Sequence, residues 1–344
     1  MRVGPFCRAV FALALFAMAL PRAQAEAVAD FYKGKTVSII LSSGAGGGYD
    51  TLARTLAPYL ANHIPGNPTV IVRNMAGAGG LTAANHLYNV APKDGTAIGG
   101  VQNNIPFEPL FGNKAAQFDA TKFLWLGTPS IEVALLTVSG TTPVNTWQDV
   151  KTHEIVMGSS GANSTPSFYG RLARDLLGLK IKLIVGYESQ TTAFLAMERG
   201  EIDGYPSVFY SSLMSTKPTW LKDKKIKLLL EMGLEKEKEI PDVPFLLDLL
   251  TKQEDKQLAT AAFAPLSTGR PYLLPPGVPA DRVAAMRKAF DDSFKDPGFL
   301  AEANQRQLGV NSPRSGEQLQ ALIENTYKNT PQPIVERLIK MQSE

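Results

Sequence analysis

Two glycine-rich segments hold the residues best placed to do chemistry. Gly44-Ala45-Gly46-Gly47-Gly48-Tyr49-Asp50 follows the β-branched run Thr36 to Leu41 and precedes a helical pattern from Thr51 to Leu60. A strand, a glycine loop and a helix start bring unpaired backbone N–H groups and the positive end of a helix dipole to one place, which suits an anion. Asn74-Met75-Ala76-Gly77-Ala78-Gly79-Gly80 repeats the arrangement after Thr69 to Val72, ahead of a helix beginning near Leu81. Two such loops on neighbouring parallel strands meet at the carboxyl edge of the sheet, where open α/β sheets bind ligands. The alternative is a pair of tight turns that hold nothing. Asp50 has two readings of its own: a ligand contact, or the N-cap of the following helix.

A third polar segment, Gly158 to Ser164, precedes the helical run Ser167 to Leu177 and offers hydroxyl and amide donors. It reads as a contribution to the cleft from a second lobe, as N-capping by Ser164 or Thr165, or as both. Other chemistries fit poorly. Counted from Gly44 the sixth place is Tyr49, and counted from Gly77 it is Thr82, so neither loop has dinucleotide spacing. Neither ends in the Gly-Lys-Ser/Thr of a P-loop. His63, His86 and His153 are the only histidines, and none is spaced from another as paired metal ligands on a helix. Gly158-Ser159-Ser160-Gly161 approaches a nucleophile elbow centred on Ser160, but Ala162 stands where the closing glycine belongs. No cofactor or metal is expected, and the chain does not read as an enzyme.

The elements that would position these loops are strands alternating with helices, which indicates a parallel sheet covered by helices. A first set comprises Thr36 to Leu41, Thr69 to Val72, Ala97 to Val101 and Phe123 to Gly127. A second comprises Val133 to Val138, Glu154 to Gly158, Lys180 to Tyr187, Glu201 to Val208 and Ile226 to Glu231. The charged stretch Glu235 to Glu239, closed by Pro241 and Pro244, reads as a solvated connection. Pro279-Ala280-Asp281 leads into a helix through Phe294, and three more helical segments are broken at Pro297, Pro313 and Pro331.

Arg2 and Arg8, the apolar run Ala9 to Leu20 and the small-residue end Ala23-Gln24-Ala25 have the layout of a cleavable secretory signal. The apolar run is shorter than the ~20 residues a transmembrane helix needs. The formal charge of +3 is carried by Arg2, Arg8 and Arg22, so residues 26–344 are electrically balanced, which argues against nucleic acid as a partner. The single cysteine, Cys7, lies before the apolar run and leaves with the signal, so the mature chain has no disulfide. A periplasmic product is expected.

Six motifs in order resemble the Bug-type receptors of the tripartite tricarboxylate transporter family. They are GAGGGYDTLAR (Gly44 to Arg54), NMAGAGG (Asn74 to Gly80), APKDGT (Ala91 to Thr96), GSSGANS (Gly158 to Ser164), GYESQTTAFLAMERGEID (Gly186 to Asp203) and PPGVPADRV (Pro275 to Val283). The resemblance implies an α/β, two-lobed type II periplasmic-binding fold with a central interdomain cleft. It implies lobe 1 from 26–127 and 241–344, and lobe 2 from 128–240, with a small carboxylate sealed between them. The carried-over contacts are Gly46, Gly47, Gly48 and Asp50 in one loop, Ala78, Gly79 and Gly80 in the other, and Ser159, Ser160, Asn163 and Asp203 in the second lobe; Tyr49, Asn103, Ser164 and Tyr187 complete the expected set.

The chain departs from the family pattern at Ser42-Ser43, at Tyr49 and at Tyr187-Glu188-Ser189. A di- or tricarboxylic acid is the expected ligand, integral-membrane permease subunits are the expected partners, and the receptor is expected to be a monomer. A ligand-sensing protein for a receptor kinase and a periplasmic enzyme on a carboxylated substrate are the competing readings.

Overall fold

The computed structural model describes residues 26–343 apart from Gly47, Ala162, Asn163, Glu188 and Ser189, so the expected signal segment lies outside the described residues. Residues 26–32 are helical (α1). The first sheet then begins: β1 (Thr36–Leu41), α2 (Gly48–His63), β2 (Thr69–Asn74), α3 (Leu81–Asn89), β3 (Ala97–Gly100) and β4 (Leu124–Thr128). β1 pairs in parallel with β2 on one side and β3 on the other. The crossover from β2 to β3 therefore passes over β1, creating a topological switch point at the carboxyl end of β1, the natural ligand position in such a sheet.

The second sheet repeats the device. It contains β5 (Ala134–Ser139), β6 (Ile155–Ser159), β7 (Ile181–Val185), β8 (Gly204–Phe209) and β9 (Ile226–Met232) in the order β7-β6-β8-β5-β9. β6 is parallel to both β7 and β8, with α4 (Thr165–Leu177) and α5 (Gln190–Glu198) as crossovers. α6 (Tyr210–Thr216) follows β8. The chain returns through α7 (Leu246–Leu249) and α8 (Gln253–Thr268) to β10 (Tyr272–Leu274), then α9 (Ala280–Ser293), α10 (Pro297–Gln305), β11 (Arg314–Ser315), α11 (Gly316–Asn329) and α12 (Gln332–Ser343).

The expectation of a parallel sheet holds for β1, β2 and β3 and is corrected at the other strands of the first sheet. β10 lies antiparallel between β3 and β4, β11 is antiparallel to β4, and β5 is antiparallel to β8 and β9. β5, β9 and β10 enter or leave a sheet where the chain crosses between the two, so no helix crossover within one sheet forces them parallel.

Local signals fix the helix ends. Ser164 accepts from the Ser167 amide and Pro166 sits in the first turn of α4, while Gly178 closes that helix in the left-handed region. Asp296 accepts from Gly298 and Phe299 at the start of α10, and Ser315 with Gln318 forms a capping box on α11.

Three apolar clusters hold the layers together. One covers a face of the first sheet with Leu52, Leu56, Phe290 and Phe299. Another covers a face of the second sheet with Phe194, Val208 and Trp220. The largest runs from Trp125 and Phe107 through Phe263 on α8 to Leu136, Met157 and Leu172, so the two sheets share one continuous core. The Tyr169 hydroxyl donates to Ala262 O at 3.2 Å and Arg171 Nε donates to Met341 O at 2.9 Å, tying α4 to α8 and α12. No helix among the described residues is long and apolar enough to cross a membrane.

Candidate anion-binding cleft

The first loop is organised from behind by Asp50. This carboxylate is buried, and it accepts from the Gly46 amide at 2.9 Å, from Asn74 Nδ2 at 2.9 Å and from Arg54 Nε at 3.0 Å. Asn74 Nδ2 also donates to Ser43 O at 3.1 Å, and Arg54 donates to Asn74 Oδ1 at 3.0 Å. One side chain thus fastens the loop after β1 to the residue that starts the loop after β2. The Arg54 hydrogen bond, with help from the Gly46 and Asn74 donors, holds the Asp50 pKa down to about 2.

The helix begins at Gly48, which places Asp50 inside its first turn. The N-cap reading is therefore corrected. Asp50 reaches back to Gly46 rather than forward along the helix, and its oxygens accept from Gly46, Arg54 and Asn74.

The second loop packs directly on the first. Ala78, Gly79 and Gly80 take φ values of 47°, 64° and 99°, a left-handed run that turns the chain into α3. A Cβ on Gly80 would lie 3.1 Å from Ser42 Oγ and from the Ile105 side chain, so glycine is what allows this approach. Ser42 Oγ, itself buried, accepts from the Gln102 amide at 2.9 Å and so joins the chain after β3 to the same corner.

The amides of Gly48, Tyr49, Ala78 and Gly79 have no hydrogen-bond acceptor among the described residues, as expected for residues opening a helix. Gly48, Ala78 and Gly79 are exposed. Gly47 lies outside the described residues.

Tyr49 forms the floor beside these amides. Its hydroxyl donates to Gly269 O at 3.3 Å and accepts from the Asn103 amide at 3.1 Å; burial pushes its pKa up to about 12. Arg270 was not foreseen. Its guanidinium sits 13% exposed, 3.7 Å from the buried Glu132 carboxylate, donates to Leu308 O at 3.0 Å and reaches 3.5 Å from where a Gly48 Cβ would stand. A cation is thereby held beside the start of α2. Its only sequence signal is the triplet Gly269-Arg270-Pro271 between a helix and a strand.

In the second sheet, Ser159 is fully buried and its hydroxyl is engaged with Ser164 Oγ at 3.0 Å and Ser167 Oγ. Ser164 and Ser167 both donate to Gly161 O, at 2.7 and 2.6 Å. The three hydroxyls therefore shape the loop from within, whereas Ser160 is exposed. Tyr187 follows β7, donates its amide to Ser159 O at 3.1 Å and lays its ring against Gly158. Asn163 lies outside the described residues.

Asp203 does not join this group. It precedes β8, accepts from the Val156 amide at 2.7 Å and donates its own amide to Val156 O, at the amino end of β6. Ser159 stands at the opposite, carboxyl end of that strand, ~10 Å away at 3.3 Å per residue. The strand begins at Gly204 rather than Glu201, and Asp203 is the clasp across its start.

The buried hydroxyl of Ser43, one of the departures from the family pattern, and those of Ser130 and Ser207 have no hydrogen-bond partner among the described residues. A cavity of about 460 Å³ lies between Asn103 and Asn104, beyond the carboxyl end of β3, and Thr165, Phe168 and Tyr169 on α4, beyond the carboxyl end of β6, with α8 and α12 closing its wall. His63 lies elsewhere, 2.9 Å from Asp296. No group of three His, Cys, Asp or Glu among the described residues could hold a metal ion.

Two switch-point sheets that share a cleft at their carboxyl edges define a two-lobed periplasmic-binding-protein fold, and comparison with known structures agrees. A solute-binding protein from Polaromonas, solved without ligand, superposes with a TM-score of 0.67 at 19% identity, over 90% of this chain and 99% of that one. MatC from Rhodopseudomonas palustris, solved with bound malate, gives 0.61 at 18% identity over 90% and 99%. A UPF0065 protein from the TAR-I ttuE-ttuC' intergenic region of Agrobacterium vitis is 28% identical over 180 residues, a stretch spanning 51% of each protein. Residues 52–338 match the tripartite tricarboxylate transporter family receptor, and the chain belongs to that family of solute-binding proteins.

Proposed function

We propose that this protein is a periplasmic receptor that captures a small carboxylate between two lobes and delivers it to integral-membrane permease subunits of a tripartite tricarboxylate-type transporter. Di- and tricarboxylic acids are the first ligands to test, since malate occupies the related MatC structure. Lobe 1 would comprise 26–127 and 241–344 and lobe 2 128–240, with residues 1–25 removed as a signal.

One observation carries the reading. The amides of Gly48, Tyr49, Ala78 and Gly79 find no acceptor among the described residues, at two loops that Asp50, Asn74 and Ser42 lock together. Converging N–H groups at helix starts hold an anion with neutral donors, which leaves release possible.

In this account the ligand carboxylate sits on the lobe 1 loops, and Ser160 and Tyr187 approach from lobe 2 on closure. Closure follows binding only if the ligand makes contacts in the closed state that it lacks in the open one. The test is calorimetric titration of the mature protein with mono-, di- and tricarboxylates, together with mass spectrometry of small molecules released on denaturation. Saturable binding of at least one acid is expected. Absence of heat with every acid, and of any released acid, would overturn the proposal.

A further inference from the structure

We propose that the cavity between the two carboxyl edges receives a protonated amine, held by Glu108, at the far end of the carboxylate ligand. The inference rests on the carboxylate-receptor reading above and narrows it to amino-carboxylates. Glu108 lines the cavity one turn beyond Asn104. Its two oxygens accept from Asn104 Nδ2 and Asn113 Nδ2, each at 2.6 Å. Those neutral amides fix the carboxylate in place and leave its charge uncompensated, because no Lys, Arg or His among the described residues pairs with it.

The remaining wall explains what the charge is for. Phe111, Phe168, Pro265 and Ile339 line the same cavity, and its other polar side chains are Asn, Gln, Thr and Tyr, so the lining holds no cation. A second ligand carboxylate entering here would meet a like charge in a partly apolar setting; an ammonium would find an opposite one. The cavity also adjoins the amide cluster. Asn103 lines it while its own N–H is bonded to Tyr49 Oη, and Ile105, between Asn104 and Glu108, packs against Gly80. A short chain that places its carboxylate on the loops therefore extends past Asn103 towards Glu108.

The test is calorimetry on the intact mature protein with ligands matched in length: γ-aminobutyrate, δ-aminovalerate and ε-aminocaproate against succinate, glutarate and adipate, and against butyrate, valerate and caproate. At one chain length the ω-amino acid is expected to bind ~10-fold or more tightly than both partners, the scale of a charge-assisted hydrogen bond. Glu108→Gln should erase that preference and let the dicarboxylate gain, with the melting temperature measured alongside. The wild-type ligand series decides the matter even if the variant folds poorly. Tighter binding of the dicarboxylate at every length, or a preference unchanged in a folded Glu108→Gln, overturns the amine site while leaving the receptor reading intact. No binding of any acid overturns both.

Discussion

Replacing Asp50 with alanine should separate the loop-organising role from direct ligand contact. The substitution removes the acceptor for the Gly46 amide and one of two acceptors for Asn74 Nδ2, together with the bonds from Arg54. All of these bonds are made to an ionised carboxylate, so their combined worth is the ionic part that linkage gives: lowering it from 3.8 to about 2 corresponds to ~2 kcal/mol. Arg54 is half in solvent, so screening reduces this to ~1 kcal/mol.

The variant should therefore lose roughly 1–2 kcal/mol at pH 7 by urea unfolding. Because the folded pKa is depressed, the ionic part is fully present above the unfolded value and disappears as pH falls towards the folded one. About half of it should be gone by about pH 3, narrowing the gap between wild type and variant. Carboxylate affinity should fall ~10-fold, since the two amide pairs are no longer held in register. A stability loss under ~0.5 kcal/mol at pH 7, or a gap that ignores pH, would refute the argument.

Gly80→Ala should weaken binding by ~10-fold or more, because the new methyl presses on Ser42 and Ile105 at a φ of 99° and drives the loops apart; titration of the purified variant reads this directly. Ser164→Ala removes the α4 cap and should cost ~1 kcal/mol in denaturant unfolding, with a smaller loss of affinity. Asp203→Ala should lower stability by ~1–3 kcal/mol while leaving ligand affinity unchanged, since its carboxylate clasps Val156 at the far edge of the sheet. A large affinity loss there, in a folded protein, would return Asp203 to the site.

The strands that feed βαβ units were legible because period and propensity agree: Thr36 to Leu41 coincides with β1, and the glycine-to-helix transitions at Gly44 to Asp50 and Gly77 to Leu81 fall where the loops are. β10 was not legible. Its three residues, Tyr272 to Leu274, lie between Pro271 and Pro275, and only insertion between β3 and β4 makes them a strand. The helix after the first loop starts at Gly48, earlier than Thr51, because Asp50 reaches back to Gly46 and organises a turn that composition alone assigns to loop.

Side-chain duties were the least visible part. A polar residue in the right segment can face the ligand, as Ser160 could, or be spent inside the loop, as Ser159 and Ser164 are. Spacing cannot separate these cases. Arg270 was missed because tertiary folding alone brings it to the corner.

The most direct test of the account is a crystal structure of the protein with a carboxylate that it binds. One ligand carboxylate should lie about 3 Å from the amide nitrogens of the α2 start and of the Ala78–Gly79 turn, with no lysine or arginine side chain bonded to it. A carboxylate seated elsewhere, with those four amides still turned to bulk water, would contradict the central claim.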